Sequence, residues 1–283
     1  MEKIYREIIH LLHQAGELVK EELAQQDVVV STKSSRSDLV TNIDKLVQNY
    51  LMSSLNVLIP NLKFLAEENG LTELSDFSGK VMVIDPIDGT NNMVLQQKDF
   101  CILLGLYEEK MGRCGFIYEV MGNHLLWGGP EIGVFYDDQP WHMQKDLSLE
   151  DGLISFNSMI FRENMLKSHE LSQRALGIRM TGCAGLEMMD IALGNRVAYI
   201  SNLQPWDYAA GQIILEALGM KVTTISGEAL SLNGTRVYDC SDSQCPSRNI
   251  RKYRSCIKYH EKSSVLLFFL KIFWYNFILS EVN

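Results

Sequence analysis

The 283-residue chain has six prolines, six cysteines and six histidines, and none of the three is set out in a chemical pattern. No two cysteines stand as CxxC or at zinc-site spacing. That excludes a thioredoxin-like pair and a structural zinc module, and it reads as reduced thiols in a cytoplasmic protein. No two histidines fall at i, i+4, which excludes a zincin-type site. A Ser-His-Asp or Cys-His arrangement that would support a covalent intermediate is also missing. Positive charge is in deficit, with 26 Lys and Arg against 35 Asp and Glu and a net charge of −9. No general nucleic-acid or anionic-membrane surface is therefore expected. The first residues, Met1-Glu2-Lys3-Ile4-Tyr5-Arg6-Glu7, carry charge from the start and lack an apolar run, so no signal peptide is expected.

Apolar residues make up 46% of the chain, enough to bury the core of one large domain or two closely joined ones. The densest chemistry lies in Val81-Met82-Val83-Ile84-Asp85-Pro86-Ile87-Asp88-Gly89-Thr90. Its first four residues read as a buried strand. Pro86 cannot donate to a ladder, so pairing is expected to stop there. Asp85 and Asp88 then share the strand's mouth. At about 4 Å and an effective dielectric near 20, two carboxylates repel by about 4 kcal/mol. A hard cation removes that cost, and Mg²⁺ prefers carboxylate oxygen. Gly89 lets backbone approach a ligand, and Thr90-Asn91-Asn92 can open a helix. A bare DxxDG also reads as an ordinary polar turn.

Periodicity predicts an amphipathic helix over about 3–25, a short strand at Val28–Val30 and a polar loop over Ser31–Ser37. A second helix follows and closes at Pro60. Thr41 and Asp44 have capping-box spacing; Asp44 either caps that helix or faces a metal cluster and orients a water. Lys63–Ala66 reads as a strand ending in Glu67-Glu68. Residues 99–136 read as an antiparallel meander. Beyond it a strand at Leu153–Phe156, a polar helix over 162–176, a helix over Ala184–Leu193 and a strand at Val197–Ile200 are predicted. Pro205-Trp206-Asp207-Tyr208-Ala209-Ala210-Gly211 opens a last helix, with Asp207 in its first turn and Gly219 at its end.

Glu67-Glu68, Asp85-Pro86-Ile87-Asp88-Gly89-Thr90 and Trp206-Asp207-Tyr208-Ala209-Ala210-Gly211 together resemble the inositol monophosphatase family, over about residues 3–238. Lys33 and Asp38-Leu39-Val40-Thr41 with Asp44 match the family's N-terminal block. The resemblance implies a layered αβαβα sugar-phosphatase fold of α+β class, Mg²⁺ dependence with two or three ions per site, lithium sensitivity and a homodimer. It implies Glu67, Asp85 and the Ile87 carbonyl as ligands of one Mg²⁺ and Asp85, Asp88 and Asp207 as ligands of a second. Glu68 would serve a third, weaker ion or the outer shell. Thr90 and Asp44 would polarise the attacking water, and Gly89 and Thr90 would hold the phosphate. Lys33 and the turn Gly182-Cys183-Ala184 would lie beside the substrate.

The expected function is Mg²⁺-dependent hydrolysis of a small phosphate monoester, inositol phosphate or a related sugar or polyol phosphate. Fructose bisphosphate or a nucleotide 3′-phosphate is the alternative substrate, and a catalytically weak binding protein the alternative class. Asn91 and Met93 depart from the family pattern. So does Ile200, which stands where inositol-specific members carry a glutamate that binds a sugar hydroxyl. The catalytic domain is expected over 1–239, with parts at about 1–150 and 151–239. Residues 240–283 read as an atypical tail, basic and then apolar. A changed reading frame or a membrane anchor would explain it, although its apolar run is short for a bilayer and is interrupted by Lys271.

Overall fold

The structure is a computed structural model that describes residues 2–25, 28–32, 39–143, 147–232 and 265–269. The N-terminal part runs α1 (Glu2–Gln25), β1 (Val30–Thr32), β2 (Leu39–Thr41), α2 (Asn42–Leu58), β3 (Lys63–Ala66), β4 (Lys80–Asp88) and α3 (Thr90–Gln96). The meander follows as β5 (Cys101–Glu108), β6 (Met111–Glu119), β7 (His124–Gly129), β8 (Gly133–Tyr136) and β9 (Gln139–Trp141). The remainder is β10 (Leu153–Phe156), α4 (Ser158–Arg162), α5 (Ser168–Arg174), β11 (Gly177–Arg179), α6 (Ala184–Ala192), β12 (Ala198–Asn202), α7 (Pro205–Ala217), β13 (Lys221–Thr224) and β14 (Val265–Phe269).

Strands β3 to β9 form one seven-stranded sheet in sequence order, parallel only between β3 and β4. A five-stranded sheet has the order β11-β10-β12-β14-β13. One core lies between the first sheet and α1 and α2, where Ile8, Leu12, Val47 and Leu51 meet Met82, Ile84 and Phe116. The other collects α6, α7 and the inner faces of both sheets, with Met188, Ile191, Ile214, Leu103, Ile154 and Ile200. This is the layered mixed α/β architecture implied by the resemblance.

The fit of α7 against the first sheet depends on small residues on both sides. A Cβ on Gly115 of β6 would stand 2.2 Å from the Ala210 carbonyl oxygen, and one on Gly105 of β5 would stand 3.3 Å from the Ala209 backbone carbon. The slim Ala209-Ala210 face therefore meets slim strand positions, while Gly211 makes room for Met188 of α6, and Tyr107 donates its hydroxyl to the Ala209 carbonyl at 3.2 Å. This close approach fixes the first turn of α7, and with it Asp207, relative to β4.

Four local readings need correction. β4 does not stop at Pro86: a bulge between Asp85 and Asp88 absorbs the missing donor, and pairing resumes at Asp88 opposite Cys101. The N-terminal strand is Val30–Thr32, so Ser31 and Thr32 belong to a hairpin with β2 rather than to a loop. The helix expected over 162–176 is broken, because Asn164, Leu166 and Lys167 have φ of 47°, 57° and 52°, which no right-handed helix accommodates. β14, from the stretch read as a tail, lies antiparallel between β12 and β13 inside the second sheet. Lys33, Asp38 and the rest of residues 240–283 lie outside the described residues.

Candidate active site

Glu67, Asp85, Ile87, Asp88 and Asp207 line one cavity of about 170 Å³ together with Gly89, Thr90, Asn91, Gly182 and Leu39. Four carboxylate residues from three separated segments thus meet, and none of the described lining residues is basic. Asp85 ends the straight part of β4, and its Oδ1 accepts the Ile87 N–H at 3.1 Å. That short bond holds the Asp-Pro-Ile turn. Asp207 is set by a capping box, its Oδ2 accepting the Gln204 N–H at 2.7 Å. Glu68, next to Glu67 in the chain, is buried and does not line the cavity; its N–H and carbonyl pair with the Gln48 side-chain amide, both at 2.9 Å.

Asp88 is gripped by the start of α6. Ala184 N–H donates to its Oδ1 at 3.1 Å, and Gly185 N–H donates to Oδ2. Cys183, the residue preceding α6, places its thiol 3.3 Å from the same Oδ2. Gly89 precedes α3 with φ of 90°, and a Cβ there would stand 3.1 Å from the Cys183 Cβ. A side chain at Gly89 would thus be both strained and crowded.

Asp44 caps α2 and also reaches Thr90. Its Oδ2 accepts from the Thr41 N–H at 2.9 Å and the Thr41 hydroxyl at 2.5 Å, completing the capping box of α2. Its Oδ1 lies 3.0 Å from Thr90 Oγ1, which is also 3.1 Å from the Ile87 carbonyl oxygen. The single Thr90 proton serves one of these acceptors at a time. Cap and site contact are made by the two oxygens of one carboxylate.

Burial raises the affinity of these acids for protons. The Asp85 carboxyl is pushed well above the ordinary carboxylate range, first by burial and then by the nearby Glu67, Asp88 and Asp207 charges. Asp88 is raised by burial, an effect opposed by the donors from Gly185, Cys183 and Ala184. Asp44 is raised by burial against its bonds from Thr41 and Thr90. Buried acids crowded on one cavity of oxygen donors are the environment that a hard divalent cation relieves. The residues therefore fit Mg²⁺.

Sequence reasoning missed three residues that position the site. Glu187 is 1% exposed and accepts the Thr181 N–H at 2.6 Å and the Ser155 hydroxyl at 2.5 Å. Asn92 donates to the Thr181 carbonyl at 2.9 Å and the Asp99 carbonyl at 2.8 Å. Together they hold the peptide that leads into Gly182. Gln48 does the same for Glu68. Only a polar residue on an apolar helix stripe could have flagged them, and that signal does not name partners 6 to 89 residues away. Ile200, expected near the substrate, is instead 0% exposed in the core and does not line the cavity.

A model of the inositol monophosphatase family matches residues 1–258. The inositol-1-monophosphatase of Bacillus subtilis is 33% identical over 222 residues, covering 77% of this chain and 83% of the relative. A fructose-1,6-bisphosphatase/inositol-1-monophosphatase of Thermotoga maritima is 30% identical over 222 residues, covering 78% and 84%. Among solved structures, a lithium-soaked inhibitory complex of Staphylococcal inositol monophosphatase-1 matches with a TM-score of 0.83 at 26% identity, over 100% of this chain and 95% of that one. An IMPase/NADP phosphatase complexed with Mg²⁺ and phosphate matches with a TM-score of 0.82 at 27% identity over the same shares.

Proposed function

The chain belongs to the inositol monophosphatase family, and from that premise we propose that it hydrolyses a small sugar or polyol phosphate with Mg²⁺ held in the Asp85 cavity. It is a metal-dependent phosphomonoesterase. The observation that carries the site reading is the convergence of Glu67, Asp85, Asp88 and Asp207 on one cavity. Glu67, Asp85 and the Ile87 carbonyl would hold one ion, Asp85, Asp88 and Asp207 a second, and Glu68 would serve a third, weaker one. When bound, the ions neutralise the phosphate dianion and acidify the attacking water. Asp44 orients Thr90, and Thr90 Oγ1 would take a proton from the attacking water as its own passes to Asp44 Oδ1. Gly89 and Thr90 N–H groups hold the phosphate at the start of α3. Lys33 and the turn Gly182-Cys183-Ala184 would flank the substrate.

A cavity of about 170 Å³ suits a small ester; larger ligands occupy roughly 300–1,000 Å³. We read the chain as one catalytic domain over 1–239, completed by β14 in the second sheet, whose two sheets divide near residue 150, acting as a cytoplasmic homodimer. Cys101, Cys114 and Cys183 are free and buried, which supports a reducing compartment. No helix among the described residues is long and apolar enough to cross a membrane.

Phosphate release from inositol 1-phosphate, glycerol 2-phosphate, fructose 1,6-bisphosphate and a nucleotide phosphate tests the reading. Release with Mg²⁺ that stops with EDTA and is inhibited by Li⁺ is expected. Failure on every substrate at saturating Mg²⁺ would overturn it. The fructose ester is included because the Thermotoga maritima relative carries that activity in its name.

Thermal stability gives a second test. Asp44, Asp85 and Asp88 have folded-state pKa values above their unfolded ones. Their contribution is complete below the unfolded carboxylate value and is lost as pH rises through the folded values. Without Mg²⁺, Tm should fall as pH rises above the ordinary carboxylate range, and Mg²⁺ should raise Tm more at the higher pH. A Mg²⁺ shift that is larger at low pH would refute the assignment of these acids to the metal site.

A further inference from the structure

Asp88 faces the cavity with one set of neighbours and a pair of thiols with another. Cys101 Sγ and Cys183 Sγ lie 3.5 Å apart, and Asp88 Oδ2 is 3.7 Å from the first and 3.3 Å from the second. Neither thiol lines the Asp85 cavity. The space between them is built closely: a Cβ on Gly185 would stand 2.5 Å from Cys101 Sγ. Cys101 is fixed because it pairs with Asp88 across the β4–β5 ladder, and Cys183 because it precedes α6.

These separations are those of a tetrahedral thiolate-carboxylate set. Zinc bonds of about 2.3 Å to sulfur and 2.1 Å to oxygen place two sulfurs about 3.8 Å apart and a sulfur and an oxygen about 3.6 Å apart. The two thiols already aim hydrogen bonds at Asp88 Oδ2, so an ion between the three groups takes the place of the thiol protons with little backbone movement. We propose that Asp88, Cys101 and Cys183 form an inhibitory site for a thiophilic divalent ion, Zn²⁺ or Cd²⁺, separate from the Mg²⁺ positions. Soft sulfur ligands select such an ion and reject Mg²⁺. Two thiol protons leave to solvent as one dication enters. The N–H groups of Ala184 and Gly185 offset the remaining negative charge. Occupancy commits Asp88 Oδ2 to the thiophilic ion and weakens the hold of Asp88 on Mg²⁺. This inhibitory half of the proposal rests on the reading of Asp88 as a Mg²⁺ ligand; the binding half does not.

The test is a Cd²⁺ titration of the full-length protein, read in parallel by ultraviolet thiolate-to-Cd²⁺ absorption and by phosphate release at fixed Mg²⁺. Wild type and Cys114→Ser should show a charge-transfer band that Cys101→Ser lacks, and Cys101→Ala should behave like Cys101→Ser. Without Cd²⁺, Cys101→Ser should turn over within about twofold of wild type; with Cd²⁺, it should resist inhibition by at least about tenfold. Equal bands and equal inhibition in wild type and both Cys101 variants would place Cd²⁺ on other cysteines of the chain, and no band in any of them would place it at the carboxylates; either result would overturn the proposal. A band lost in the variants with inhibition unchanged would overturn its inhibitory half. If the wild type releases no phosphate from any substrate, the band still reports the thiol site, so failure of the phosphatase reading is distinguished from failure of this one.

Discussion

Asp207→Asn is expected to remove most Mg²⁺-dependent turnover while the protein stays folded. The asparagine carbonyl keeps the capping bond from the Gln204 N–H, so α7 retains its start. What is lost is one negative charge from a site that gathers four carboxylates. Losing a ligand of a two-metal site costs about 3 kcal/mol of transition-state stabilisation, roughly two orders of magnitude in kcat/KM. Asp88→Asn should lose as much activity and also some stability. Its amide NH₂ must meet one of the donors from Ala184 and Gly185, and such a mismatch costs about 1–3 kcal/mol. Glu21, exposed on α1, is the appropriate neutral comparison. Asp76 is not, because it accepts from Lys63 Nζ and from the Ser78 N–H and hydroxyl. Turnover across a Mg²⁺ titration, with urea unfolding of each variant, separates the two effects. An Asp207→Asn variant with wild-type activity at low Mg²⁺ would remove Asp207 from the site.

Ile200→Glu should strongly destabilise the protein rather than retune its substrate. The residue is 0% exposed in β12, opposite Phe156 of β10 and Leu267 of β14. A carboxylate there has lost water and gains no described cation. Breaking a core with an unpaired charge costs about 3–5 kcal/mol, a large share of the roughly 5–15 kcal/mol that holds a domain folded. Ile200→Val should cost only about 0.5–1.5 kcal/mol. Urea denaturation of the two variants checks the difference. A stable Ile200→Glu variant with raised kcat/KM for inositol 1-phosphate relative to glycerol 2-phosphate would return this position to the substrate site.

Local signals in the chain determined the helices α1, α2 and α7, the meander strands and the acidic Asp85–Asp88 stretch that ends β4. Each of these is written in short-range terms: an apolar period, a cap, a glycine, a proline before a first turn. The acids of the metal cavity were legible for the same reason, since each stands beside a turn or cap signal, although Asp85 lies within β4 rather than at its end. Tertiary structure decided everything that depended on which ends meet. It closed Glu67, Asp88 and Asp207 on one cavity by seating α7 against Gly105 and Gly115. It carried β4 past Pro86 through a bulge, because pairing with β5 supplies bonds on the far side of the proline. It set the backbone of Thr181 between Glu187 and Asn92, and Asp88 between the cavity and two thiols. It buried Ile200, whose place in a motif count says nothing about the strands on either side of it. Sequence period records which face of an element is apolar, whereas the partner for that face is chosen by packing between segments far apart in the chain.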